Sequence, residues 1–285
     1  MSSRAIVRLA VILFLGVCIF IWQPVVPNAF AMQQESGLPT AEQVLDRHIL
    51  AIGGYELLSS ISSTHTVWRK SDPSGEWEFE RWRVPGRFHS IRRSELSTTT
   101  YGCWVADRNL KSDSLSGVSW QVSRGRVTFH GGDALGESLI DAATIADVIQ
   151  WQERYESIKC KGIVGVSGKR CHVLEFVDAR QNTTTRCFDV ETNFLIQKTG
   201  VEHRSGTRQV IRTYSKHKKY GDVVIPTRQI IESPSGTDVW TVTLFELDHQ
   251  FDMDQHFVPD VARIAIDRMV AELKLTVGEN VADRD

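Results

Sequence analysis

The sequence has no HExxH pair, no phosphate-binding Gly-x-x-x-x-Gly-Lys-Ser/Thr loop, no GxGxxG after a strand and no GxSxG elbow. Each of those patterns fixes a reactive group by its backbone setting, so their lack leaves no catalytic residue to name, no cofactor to expect and a non-enzymatic reading. Gly165-Val166-Ser167-Gly168 comes nearest to the elbow, and it falls in a hairpin turn instead. No two cysteines have the CxxC spacing of a zinc knuckle or a thioredoxin-type centre. Charge of one sign is also missing: 33 Lys and Arg stand against 35 Asp and Glu, a net charge of -2. Nucleic acid and anionic membranes both require a concentrated basic surface, so neither is an expected partner. The local groups Arg81, Arg83, Arg87, Arg92 and Arg93, and Lys216, Lys218 and Lys219, read as solvated strand faces and protected edges.

What is present begins with a leader. Arg4 and Arg8 form a basic head, Leu9 to Trp22 is an uncharged apolar run, and Ala29-Phe30-Ala31 has the small-x-small form of a signal-peptidase site. Residues 1–31 are therefore expected to be a signal peptide cut near Ala31, giving an exported, periplasmic protein. An uncleaved leader extended through Val25 and Val26 would instead anchor the chain in the inner membrane. The exported part keeps Cys103, Cys160, Cys171 and Cys187, an even number for which disulfides are permitted but not required. A two-residue turn at Ser167-Gly168 places Cys171 opposite Val164 and not Cys160.

After the leader, Thr40 caps a helix from about Ala41 to Ile52, with Gln43 completing a capping box and Gly53-Gly54 ending it. Its apolar face carries Val44, Leu45, His48, Ile49 and Ile52; His48 there reads as a hydrogen-bonded core residue and not a ligand. Four strands follow, THTVWRK, EWEFERWRV, RFHSIRR and STTTYGCWV, then a polar loop from Asp107 to Gly117 and a further strand GVSWQVS. A helical insertion runs from Asp133 to about Gln150, able to fold back over the sheet as a lid or plug. From Tyr155 to Asp248 short strands alternate with turn residues, which predicts an antiparallel meander curling into a half-closed barrel. Residues 260–285 read as a C-terminal helix and tail. His249 and His256 flank Asp252 and Asp254, a set that could suggest a metal; their mixed positions at a strand exit favour a solvated loop, and no metal is expected.

The order AEQVLDRHILAIGGYELLSSI, EWEFERWRVPGRF, GVSW, a helical insertion, GKRCHVLEF and FDVETNFLIQKTG resembles the LolA-like outer-membrane lipoprotein-sorting proteins, over roughly Leu38 to Pro259. The resemblance implies an α+β, mainly β domain at 32–259: a strongly curved antiparallel sheet forming an unclosed barrel, its concave face covered by the N-terminal helix and the central helical insertion. It also implies an apolar cavity for the acyl chains of a lipoprotein or lipid, and an envelope membrane protein as a delivery partner. Carried onto this chain, the strand before Pro85 supplies inward Trp82 and Val84, with Phe88 beyond it. The carrier has an arginine just before that proline, where this chain has Val84, so the likeness in fold does not extend to the carrier's opening switch. A carrier predicts a cavity lined by Leu45, Ile49, Ile52, Trp82, Val84, Phe88 and Trp120. A structural or interaction module of the envelope predicts the same side chains close-packed.

Overall fold

A computed structural model describes residues 37–72, 75–105, 117–143, 149–203, 208–250, 258–269 and 271. Residues 1–36, 106–116 and 272–285, on which the expected signal peptide and most of the expected polar loop and C-terminal tail fall, lie outside the described residues. Among the described residues thirteen strands form one antiparallel sheet, and its order follows the chain except at one join. The first run is β1 (Thr64–Asp72), β2 (Gly75–Val84), β3 (Arg87–Ser94), β4 (Thr98–Val105), β5 (Gly117–Ser123) and β6 (Arg126–Phe129). The second is β7 (Tyr155–Val166), β8 (Lys169–Asp178), β9 (Thr183–Asp189), β10 (Leu195–Glu202), β11 (Arg208–Tyr220), β12 (Val223–Ser233) and β13 (Gly236–Leu247). β1 pairs with β13, from Thr64 opposite Leu247 to Arg69 opposite Thr241, so two meanders become one sheet with β6 and β7 at its two edges.

Turn chemistry fixes each neighbouring pair. Ser167 and Gly168 both have positive φ (50° and 80°), the requirement of a two-residue hairpin that follows the strand twist, and Val166 faces Lys169 across it. Cys171 is therefore opposite Val164, and all four described cysteines are free thiols. Burial pushes the Cys171 thiol up to about 11 and that of Cys187 to about 12, which keeps both protonated and inert. The Pro85-Gly86 turn sets Val84 opposite Arg87 and Trp82 opposite His89. The strand β6 was not expected from the sequence. Its four residues RVTF are nearly all exposed and carry too short a pattern to stand out.

Two helices precede the sheet, α1 (Ala41–Ile52) and α2 (Tyr55–Ser60), and two lie between β6 and β7, α3 (Gly132–Ala143) and α4 (Trp151–Arg154). The Thr40 side chain accepts from the Gln43 backbone N–H, and the Gln43 side chain accepts from that of Thr40, as the capping box requires. α1 and α2 lay Val44, Leu45, Ile49 and Leu58 on Leu174, Phe176, Phe188 and Val223, the main core. α3 lays Leu139 on Phe88, Cys103 and Val105. The insertion, expected as one helix from Asp133 to about Gln150, is helix over Gly132–Ala143; residues 144–148, with Ile145, lie outside the described residues, and residues 149 and 150 form a turn before α4.

A fifth helix, α5 (residues 260–269), covers Val118 and Trp120 through Ala262. The Trp120 ring lies over Gly102, where an added Cβ would come within 2.1 Å of it. Gly102→Ala should therefore lower the unfolding free energy by about 1–3 kcal/mol, the usual cost of overpacking, seen as a lower urea midpoint. An unchanged midpoint would mean that the ring swings away without loss.

Candidate functional site

Partners across an antiparallel ladder point to the same face, so the registers sort every strand residue onto one of two surfaces. Leu247, Thr64, Arg83, Phe88 and Cys103 stand in one row, and since α1 and α3 pack on Leu247 and Phe88, this is the helix-covered, concave face. Glu246, His65, Trp82, His89, Gly102 and Trp120 stand in the adjacent row on the opposite face.

That sorting separates charge along β2. Glu76, Glu78 and Glu80 alternate with Trp77, Phe79 and Arg81, so the glutamates take the outer face and the aromatic rings and arginines the concave one. Across β1 to β3 the concave rows carry Trp68, Lys70, Trp77, Phe79, Arg81, Arg83 and Arg92, with a carboxylate, Asp72, only at the hairpin tip. On the far side of the join, Trp240, Val242, Tyr214, Arg212 and Lys198 continue the same face, together with Asp238 and Glu202.

Ring and cation alternate closely there. Lys70 Nζ sits 5.4 Å from the Trp77 ring and 5.7 Å from that of Trp240, while donating to Asp238 Oδ1 at 2.6 Å. Arg81 lies 5.1 Å from the rings of both Phe79 and Phe88, and its Nε donates to Ser90 Oγ at 2.9 Å. The Arg92 guanidinium is 4.5 Å from the Trp77 ring. Farther along, Glu202 takes Arg212 at 2.5 Å and Arg208 at 3.0 Å. Burial pushes the Glu202 carboxyl up, but the two guanidinium groups outweigh it and hold it below the usual range. The result is an aromatic floor studded with cations, able to take an apolar tail and an anionic group together.

The seven positions expected to line a cavity do not share one surface. Leu45 and Ile49 are wholly buried in the main core beneath α1, with Ile52 partly buried beside them. Phe88 faces the helices and packs against α3. Trp82 and Val84 lie on the opposite face, because the two-residue turn at Pro85-Gly86 pairs Trp82 with His89 and Phe88 with Arg83. Trp120 is on that outer face too, under α5. The inward row of β2 is instead Trp77, Phe79, Arg81 and Arg83, and strict alternation from Phe88 back through the turn was the signal that could have found it.

α3 spans from one half of the sheet to the other. It packs on β3 to β5, and its Glu137 accepts from the His203 backbone N–H at 3.0 Å, while Arg180 in the β8–β9 turn donates to the Gly132 carbonyl at 3.3 Å. Gly136 leaves room for that guanidinium, which an added Cβ would meet at 1.8 Å. α3 thus ties β3 to β5 to the β8–β9 turn and to the residue after β10.

On the outer face His65, Glu246 and His249 bring two imidazoles and a carboxylate together, which sequence reading missed. Asp252, Asp254 and His256, the other members of the set suggested by the sequence, lie outside the described residues. Among the described residues no helix is long and apolar enough to cross a membrane.

No family model matches the sequence, and no curated protein matches it. Among solved structures, a DUF1329 family protein from Desulfovibrio piger matches 74% of this chain and 95% of its own, at a TM-score of 0.52 and 13% identity. An outer membrane lipoprotein-sorting protein domain from Vibrio parahaemolyticus matches 74% of this chain and 94% of its own, at 0.49 and 9%. A LolA superfamily protein from Nitrosomonas europaea matches 79% and 100%, at 0.49 and 11%. The likeness to the Desulfovibrio protein is one of fold. The chain has the unclosed, helix-covered antiparallel sheet that the LolA-like resemblance implied.

Proposed function

We propose that the protein is an exported, non-enzymatic component of the cell envelope that holds an amphiphile, a lipid or the acylated end of a lipoprotein, on the concave face of its sheet. Cleavage of the leader near Ala31 would release it into the periplasm. The observation that carries this reading is the interleaving of Trp68, Trp77 and Phe79 with Lys70, Arg81 and Arg92 on the face that α1 and α3 cover. Rings give an acyl chain an apolar bed, and cations offer an anionic head group a partner in the same row.

The region beneath α1 is an ordinary core, closed by Leu45, Ile49, Leu174, Phe176 and Phe188. That observation favours the module reading for this end of the sheet, and the proposed binding space is therefore assigned to β1 to β3 and β11 to β13.

Titration with a fluorescent fatty acid separates the two readings. The carrier reading expects saturable binding, weakened about tenfold in Phe79→Ala, since burying such a ring against a ligand contributes about 1.5–3 kcal/mol. No saturable binding, together with no lipid in native mass spectra of the purified protein, would reject the carrier and leave the module. Binding that Phe79→Ala does not change would place the ligand elsewhere.

A further inference from the structure

We propose that His65, Glu246 and His249 form a binding site for one divalent transition-metal ion of the zinc type, on the outer face of the seam between β1 and β13. The site is separate from the concave face and does not depend on what that face holds.

The donor atoms converge. His65 Nδ1 is 2.8 Å from Glu246 Oε2, and His249 Nδ1 is 3.1 Å from the same oxygen. All three donor atoms lie within 4.8 Å of one another. Bonds of about 2.0–2.2 Å in a tetrahedral shell put donors roughly 3.3 Å apart, so two of the three separations already suit an ion and small rotations of the half-buried His249 close the third. Two imidazoles and a carboxylate form a mixed nitrogen and oxygen set, which zinc and its neighbours accept and calcium or magnesium do not favour.

The support around His65 is that of a metal ligand. Its ring is buried and stacks on Trp82, with centroids 4.9 Å apart and planes 4° from parallel. Nε2 is 2.9 Å from Glu80 Oε1, and Glu80 is held in turn by Arg93 at 2.5 Å. A carboxylate behind a ligating histidine fixes the ring and its tautomer and leaves the other nitrogen for the ion.

A neutral imidazole has one ring proton, yet His65 turns a nitrogen to a carboxylate on both sides. With the proton on Nε2 and donated to Glu80, the Nδ1 lone pair and the Glu246 oxygen are two acceptors 2.8 Å apart. A metal ion held between them would take both as ligands, and His249 brings a third donor, which the backbone is shaped to supply.

Glu246 and His249 would face opposite ways along a regular strand. Asp248 has φ 53°, and that turn carries His249 back to the side of Glu246. The bend is pinned to β1: Ser62 donates to Asp248 Oδ1 from its backbone N–H at 2.7 Å and its hydroxyl at 2.8 Å, and the Ser63 hydroxyl donates to the His249 carbonyl at 2.8 Å. An ion held there joins the exit of β13 to the start of β1.

The test is calorimetric titration of zinc(II) into the full chain after stripping with EDTA. One equivalent with a micromolar or tighter dissociation constant is expected. His249→Gln, at a partly exposed strand exit, should weaken binding at least tenfold while leaving the far-ultraviolet spectrum and thermal midpoint of the stripped protein as they were. Glu80→Gln should weaken it by about 10- to 100-fold through loss of the carboxylate behind His65. Absence of saturable zinc binding would overturn the proposal and leave the cluster a proton-bridged network. Binding of equal affinity in wild type and His249→Gln would also overturn it, since the ion would then sit at other groups.

Discussion

Lowering the pH from 7 to 5 should remove about 4 kcal/mol from the unfolding free energy, through two histidines buried in neutral form. Burial lowers the pKa of His48 to about 4, against the opposing effect of its bond to the Asn193 carbonyl, where Nδ1 donates at 2.8 Å. Burial, with the charge of Arg93 beside it, lowers that of His89 to about 4 as well. Both lie below the ordinary histidine value of 6.5, so the unfolded chain takes up protons that the folded protein refuses. The stabilisation is therefore complete above pH 6.5, declines as the pH falls, and is fully lost below about 4. Each residue accounts for about 2 kcal/mol of the loss at pH 5 and about 3 kcal/mol at the end of the window. His217, lowered by burial and stacked on Phe194 at 4.5 Å, acts in the same direction. Urea unfolding followed at pH 7, 6 and 5 measures the effect. Equal free energies at all three would mean that water reaches these rings.

Phe188→Ala should cost about 3–5 kcal/mol at pH 7, the range for emptying a buried aromatic site. Phe188 is 1% exposed and lies where α1 meets β8 and β9, in contact with the core built by Leu45, Ile49, Leu174 and Phe176. Its ring centroid is 4.9 Å from that of His48. The substitution therefore also opens a path for water to the imidazole, and the His48 pKa should move back toward 6.5. A double substitution with His48→Gln separates the two effects: the Phe188→Ala penalty, smaller at pH 5 than at pH 7 when His48 is present, should become independent of pH while its cavity cost remains. A loss below 1 kcal/mol would show that α1 settles into the space left behind.

Local chemistry was the legible part of this chain. Thr40, Gln43 and Gly53 mark α1 by residue type alone, and Ser167-Gly168 or Pro85-Gly86 mark hairpins whose registers follow by counting. His48 could be read as a buried, hydrogen-bonded residue because it falls on the apolar stripe of α1. Long-range pairing left no such mark. The β1–β13 join is written in neither strand, and without it His65 and Glu246 have no reason to meet. The turn at Asp248, a non-glycine residue with positive φ, hid the place of His249 in the same way. The error over Trp82 and Phe88 was different, because the two-residue turn already contained the answer. Treating residues on both sides of Pro85 as one inward set overrode the alternation that the strands impose. Trp120 was misplaced because the resting place of the helix at 260–269 is a tertiary fact, and its apolar side alone does not tell which surface it covers.

The seam has a consequence for biogenesis. Among the described strands β1 is the first to be synthesised and β13 the last, so the middle of the finished sheet is the final piece to assemble. Until then β1 presents an open edge, with Val67 and Trp68 exposed to any passing strand. A chain stalled or clipped before Gly236 would thus be a strong candidate for capture by chaperones or proteases, while the first six strands wait for a partner that has yet to emerge.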